Sequence, residues 1–255
     1  VKTTSRCSRS ALFALLLAAA CLALPGPAAW AIGAEQIIRE VERNQVHDSE
    51  IAEGAMIITD RFGSRTKTFK SWAEGSGRML LEFTNPEERG QKILRLENEI
   101  YLYFPEAEQI IHLQGAALKE SVMGSDFSYE DLTGEKGLLE LYGVTLLGSE
   151  TVSGGEQYRL ELKARERGVA YPLQRIWVDV QDMVLMKAEY YGLSGRLLKT
   201  FEVLEVRRVG GKNVPVRAVM RDAMKRGSAT EFRLDSLQLD VPLPAGIFSL
   251  AELSW

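Results

Sequence analysis

Phe83-Thr84-Asn85-Pro86-Glu87-Glu88-Arg89-Gly90 opens the stretch that decides the fold, and Gly124-Ser125-Asp126-Phe127-Ser128-Tyr129-Glu130-Asp131-Leu132 closes it. Asn85-Pro86 and Gly90 predict a turn, because Pro fixes φ and Gly reaches conformations that side chains forbid. Two short apolar runs follow, Gln91–Leu96 and Glu99–Phe104, which read as strands joined by a polar turn at Glu97-Asn98. After Pro105 comes a further short strand, Gln109–His112. From Gln114 to Gly124 strand signals are few. So long a non-strand insert in a β-rich chain predicts a lid, a plug or a binding loop.

Outward from this stretch the chain alternates. In Arg78–Phe83, Met79, Leu81 and Phe83 fall on one face and Arg78 and Glu82 on the other. Gln157–Lys163 sets Tyr158, Leu160 and Leu162 against charged neighbours; Arg175–Val180 does the same with Ile176, Val178 and Val180, and Thr230–Asp235 with Phe232 and Leu234. A period of two with one charged face means a sheet wetted on one side and covered on the other. Turn signals divide the chain into about ten or eleven strands, all expected antiparallel. The clearest helix is Ala34–Gln45, where Ala34, Ile37, Ile38 and Val41 form one apolar stripe. Weaker helical signals lie at Ala116–Met123 and Ser128–Leu132, the second with Ser128 and Asp131 in a capping pattern. A sheet this large must curl, and so little helix leaves part of its apolar face uncovered. On residues alone two outcomes stay open: a β-sandwich or closed barrel filled by its own side chains, or a hollow able to take an apolar ligand.

Residues 1–31 read as a targeting segment. Lys2, Arg6 and Arg9 precede the apolar run Ala11–Leu24, Pro25-Gly26-Pro27 breaks it, and Ala29-Trp30-Ala31 offers small residues for cleavage. The expected product is a periplasmic domain of residues 32–255. The alternative is a lipid anchor on Cys21, after Ala18-Ala19-Ala20. Losing three basic and no acidic residues takes the formal net charge from −4 to −7. That balance does not suit a nucleic-acid partner, whose affinity rests on neutralised phosphates. Cys7 and Cys21 are the only cysteines, so residues 32–255 hold no disulfide and no thiolate metal site. With His47 and His112 as the only histidines, no metal site and no cofactor are expected. The carboxylate pairs Glu87/Glu88, Glu106/Glu108 and Glu130/Asp131 lie in polar turns and are expected to be solvated. No nucleophile elbow is present. A hydrolase therefore needs Ser121, Ser125 or Ser128 to meet His112 and Asp126 or Asp131, a set recognised by geometry rather than by order.

The order turn, strand, hairpin and Pro, followed by a loop ending in Ser125-Asp126-Phe127-Ser128-Tyr129-Glu130-Asp131-Leu132, resembles the LolA-like outer-membrane lipoprotein-sorting proteins. The resemblance runs from Ala34 to about Phe248. It implies a mainly β, curved, half-open antiparallel barrel whose apolar hollow is covered by an N-terminal helix and a helical lid. It also implies a monomeric carrier of lipid or lipoprotein acyl chains, not an enzyme, working between an inner-membrane transporter and an outer-membrane acceptor. A lipid hydrolase on the same fold and an anchored accessory of a lipid exporter are the alternatives. With a hollow implied, the residues expected to line it are Met79, Leu81, Phe83, Tyr158, Leu160, Leu162, Ile176, Val178, Met186, Tyr190, Met220 and Phe232. Leu118, Val122, Met123 and Phe127 are the expected lid contacts. The family latches its lid with a basic residue on an early strand; Lys67, Lys70 and Arg78 all lie near that position, and none maps onto it alone.

Overall fold

The computed structural model describes Val1 and residues 32–132, 137–152 and 154–253; the remainder of the expected leader, with Cys21 and Ala31, lies outside the described residues. One sheet holds β1 (Ser49–Asp60), β2 (Gly63–Glu74), β3 (Arg78–Phe83), β4 (Lys92–Leu96), β5 (Glu99–Phe104), β6 (Gln109–Leu113), β7 (Tyr142–Val152), β8 (Gly155–Ala164), β9 (Leu173–Asp179), β10 (Leu185–Tyr191), β11 (Leu197–Val209), β12 (Lys212–Asp222) and β13 (Ala229–Leu239). From β1 the chain meanders outward to β6 at one edge, crosses to β7 at the other, and returns inward to β13, which pairs with β1. Neighbouring strands are antiparallel throughout, and β6 does not pair with β7. The sheet is curved and open, as the sequence reading expected. This topology explains the long insert: the connection from one edge to the other has to cross the open face.

Thirteen strands replace the ten or eleven expected. β2 and β11 carry Lys, Thr, Arg or Glu at about half of their positions, which blurs the alternation, and Glu50 and Glu53 interrupt the apolar pattern of β1. Helix α1 occupies Ala34–Gln45 and buries Ile37, Ile38 and Val41. Ala116–Met123 is not an α-helix but two 3₁₀ turns, Gly115–Lys119 and Val122–Gly124. Helix α2 (Tyr129–Leu132) has the predicted cap, with Ser128 N–H donating to Asp131 Oδ2 at 2.7 Å. Two further short helices, α3 (Leu138–Leu141) and α4 (Leu250–Leu253), complete the set among the described residues.

Three apolar clusters form. On the inner face, α1 packs over Tyr142, Leu160, Leu162, Ile176, Val178 and Ala188 of β7 to β10. On the same face of the other half, Val122 and Tyr129 of the crossing loop pack with Met56, Phe69, Leu81, Phe83, Ile93 and Ile100. The outer face is covered over β3 to β5, where Leu253 of the C-terminal tail meets Leu80, Leu94 and Tyr103. Strands β3 to β5 are therefore buried on both faces, which is why Met79-Leu80-Leu81 and Ile93-Leu94 read as unbroken apolar runs.

The junction β1–β13 closes the two halves, and its register shifts between Glu53 and Gly54. A Cβ on Gly54 would lie 2.1 Å from the Arg233 carbonyl oxygen and 3.0 Å from the Phe69 ring. Backbone cannot retreat there without breaking the ladder. Gly54→Ala is expected to cost about 1–3 kcal/mol, the range for overpacking, measured by urea denaturation. Gly143→Ala in β7, whose nearest neighbour would be 3.8 Å away, serves as the control. Equal stability of the two variants would contradict this packing.

Candidate functional site

Between the C-terminal end of α1 and the crossing loop the inner face stays uncovered, and a cavity of about 320 Å³ opens there. The sheet contributes Met56, Leu81, Phe201, Val214, Ala218, Phe232 and Leu234 to its wall. Val122, Phe127 and Leu132 roof it, and Asn44, Gln45, His47 and Glu50 line its polar part. Phe232 stacks on Phe69 with ring centres 5.1 Å apart and meets Phe127 edge-on at 6.2 Å, so the roof touches the wall through aromatic rings. A larger groove of about 630 Å³ lies where residues 240–249 leave the sheet, but Asp48, Glu74, Arg78 and Asp240 border it. An apolar ligand has little to gain from such a charged rim.

The roof is fastened by two carboxylates. Asp126, about 1 % exposed, accepts hydrogen bonds from Thr230 Oγ1 at 2.7 Å, Ser228 Oγ at 3.0 Å and the Asp222 N–H at 3.3 Å. Its own N–H donates to Thr230 Oγ1 at 2.9 Å. Lys225, in the turn between β12 and β13, donates to Ser121 Oγ at 2.8 Å and to the Ser125 carbonyl at 2.6 Å. Asp131 accepts from Lys199 Nζ of β11 at 2.6 Å and from Tyr171 Oη at 2.5 Å. Burial and the neighbouring Asp131 charge push the Tyr171 hydroxyl far above the usual phenol range, so it stays a donor. The Lys199–Asp131 pair is largely buried. Removing one partner of such a pair costs about 3–5 kcal/mol, because the other is left uncompensated.

These contacts revise two expectations. The carboxylate pair Glu130/Asp131 is not a solvated turn: Asp131 is buried in an ion pair. The latch also comes from the late strands. Lys67 pairs with Glu88, Lys70 with Glu53 and Arg78 with Glu74. The lysines that hold the roof are Lys199 and Lys225, which carry no local sequence signal. The Ser–His–Asp set is not assembled either. His112 stacks on Tyr101 at the β6 edge and hydrogen-bonds Gln114, while Ser125 bonds the Phe127 carbonyl and Ser128 bonds Asp131.

Of the twelve residues expected in the wall, Leu81 and Phe232 line the cavity. Phe83 is buried beneath the loop, and Met220 is buried on β12, opposite Thr230. Met79 shares the face of Leu81 on β3 and is half-buried. Leu160, Leu162, Ile176 and Val178 are covered by α1, with Tyr158 and Tyr190 at the margin of that cluster. Met186 falls at a register shift of β10, and Leu185 packs under α1 in its place. Of the lid residues, Val122 and Phe127 roof the cavity, while Leu118 and Met123 pack on the cluster beside it. Met56, Phe201, Val214, Ala218 and Leu234 were missed; Ala52, Met56 and Ile58 do alternate on β1, but the glutamates before them hide the pattern.

The fold is the LolA-like one, and structural comparison agrees. A putative outer-membrane lipoprotein-sorting protein domain from Vibrio parahaemolyticus superimposes with a TM-score of 0.79 at 23% identity, covering 88% of this chain and 98% of that one. A LolA-superfamily protein from Nitrosomonas europaea gives 0.73 at 26% identity, over 87% and 100% of the two chains. A DUF1329 family protein from Desulfovibrio piger ATCC 29098 gives 0.79 at 22% identity, over 85% and 96%. No curated protein matches the sequence. A family model described as "Uncharacterized protein" matches residues 75–255, and the chain belongs to that family, a LolA-like one.

Glu50 stands apart in this site. No described group pairs with it, and burial raises its pKa above the usual carboxylate range. Between the unfolded and the raised folded pKa the native state holds the extra proton, so stability falls as pH rises through that window. Glu50→Gln removes this loss. The variant is expected to melt a few degrees above wild type at neutral pH, with the gap closing below about pH 4. A gap that does not change with pH would contradict the assignment.

Proposed function

We propose that this chain is a periplasmic carrier that holds an acyl chain of a lipid or lipoprotein in the cavity between α1 and the crossing loop, and passes it toward the outer membrane. The observation that carries the reading is an apolar cavity left open on the inner face, beneath a roof held by polar contacts at Asp126 and Asp131 as well as by apolar packing. Its volume is at the lower end of the roughly 300–1,000 Å³ common for small-molecule sites, which fits one chain rather than several. At about 0.8 kcal/mol per buried CH₂, even ten methylenes would be held firmly out of water. Release then needs the roof to lift, and an inner-membrane transporter and an outer-membrane acceptor are the partners that would load and unload it. A hydrolytic role has less support, since His112 lies at the sheet edge, bonded to Gln114 rather than to a serine. Similarity to a lipoprotein-sorting domain and to a LolA-superfamily protein supports the carrier role.

Ala218 projects from β12 into the cavity and is buried. Ala218→Phe should fill the space a chain would use. Wild type is expected to bind a fluorescent fatty acid, and Ala218→Phe to bind it at least about tenfold more weakly, a loss of about 1.4 kcal/mol, while melting no lower. Absence of binding by wild type, or undiminished binding by the variant, would overturn the reading.

A further inference from the structure

Among the described residues, one charged group lining the cavity has no counter-charge. His47 accepts a hydrogen bond from Lys212 Nζ at Nδ1, 3.1 Å away. Arg217 is held by Glu231 through contacts of 2.6 and 3.1 Å, and Asp131 by Lys199 at 2.6 Å. Glu50 has no such partner among the described residues. Its cross-strand neighbours are Ala73 on β2 and Leu239 on β13, so neither adjoining strand places a cation opposite it. It shares the inner face of β1 with Ala52 and Met56, and it lines the cavity. Its neighbour on the outer face, Glu53, pairs with Lys70 at 3.3 Å in the ordinary way.

A half-buried carboxylate without a counter-charge is costly, and a strand built for packing alone would carry an apolar residue there. The cost disappears when a cation arrives with the ligand. We infer that Glu50 reads the polar end of the cargo, and that the amphiphile suited to this cavity is a single chain ending in a protonated amine. This rests on the reading of the cavity as an acyl-chain site. The chain lies against Met56, Leu81 and Phe232, and its ammonium donates to the Glu50 carboxylate, a charge-assisted bond formed out of bulk water. His47, whose pKa is lowered first by burial and then by Lys212, stays neutral and does not compete as a cation.

The test uses three probes with the same twelve-carbon chain: dodecylamine, dodecanol and dodecanoate. Each displaces a fluorescent fatty acid from the folded protein at neutral pH. Wild type is expected to prefer the amine by about tenfold or more over the other two. Glu50→Gln should lose that preference while still binding dodecanol, and Glu53→Gln on the outer face should keep it. Should the Gln variant fail to fold, Glu50→Ala carries the same comparison. Equal affinity of wild type for all three probes, or a preference that survives in both Glu50 variants, overturns the inference and leaves the carrier reading standing. Failure of wild type to bind any of the three removes the carrier reading, and the inference with it.

Discussion

Asp126 is the residue on which the placement of the crossing loop depends. Its carboxylate is buried, has no ion-pair partner among the described residues, and is sustained by Thr230, Ser228 and a backbone N–H from the β12–β13 hairpin. Together with Asp131 on Lys199 it pins both the middle and the end of the crossing loop to the late strands. Fastening a roof partly by hydrogen bonds, beside the apolar packing of Val122 and Tyr129, has a kinetic merit. When such a loop lifts, donors and acceptors on both sides exchange to water, and each intramolecular hydrogen bond is worth only about 0.5–1.5 kcal/mol net. Deleting one partner is far more damaging, because it strands the other group in the closed state. Such a fastening is therefore costly to mutate and yet cheap to exchange for water.

The sheet topology sets up this arrangement. An outward meander to β6, a crossing, and an inward meander from β7 to β13 leave two unpaired edges, with the crossing segment lying over the hollow between them. Helix α1 fills one half of that hollow and the loop the other. The cavity is the remainder, centred on β1, β12 and β13, where the two coverings do not meet. The C-terminal tail seals the outer face of β3 to β5, so the strands beneath the loop are packed on both sides.

Much of this was legible in the residues. The apolar stripe of Ala34–Gln45 fixed α1 to its ends, and Ser128 with Asp131 marked the cap of α2. Alternation identified the inner face of β3, β8, β9 and β13. What alternation cannot convey is which part of a face another element will cover. Leu160 and Leu162 have the same pattern as Leu81 and Phe232, yet α1 lies on the first pair and the cavity on the second. Strand number was underestimated because polar strands such as β2 lose the period-two signal. The latch lysines were invisible, since Lys199 and Lys225 meet their partners across separations of 68 and 104 residues. Glu50 carries no local sequence signal, whereas in the fold it lines the cavity without a counter-charge among the described residues.

On the proposed reading, an acyl chain occupies the space between α1 and the crossing loop. Photolabelling with a fatty acid bearing a diazirine near its terminal methyl tests this directly, with labelled peptides identified by mass spectrometry. The account predicts adducts on the segments carrying Met56, Leu81, Ala218 and Phe232, competed away by unlabelled fatty acid. Adducts confined to exposed apolar positions such as Ile110 and Ile111 of β6, or labelling that unlabelled fatty acid does not compete, would contradict it.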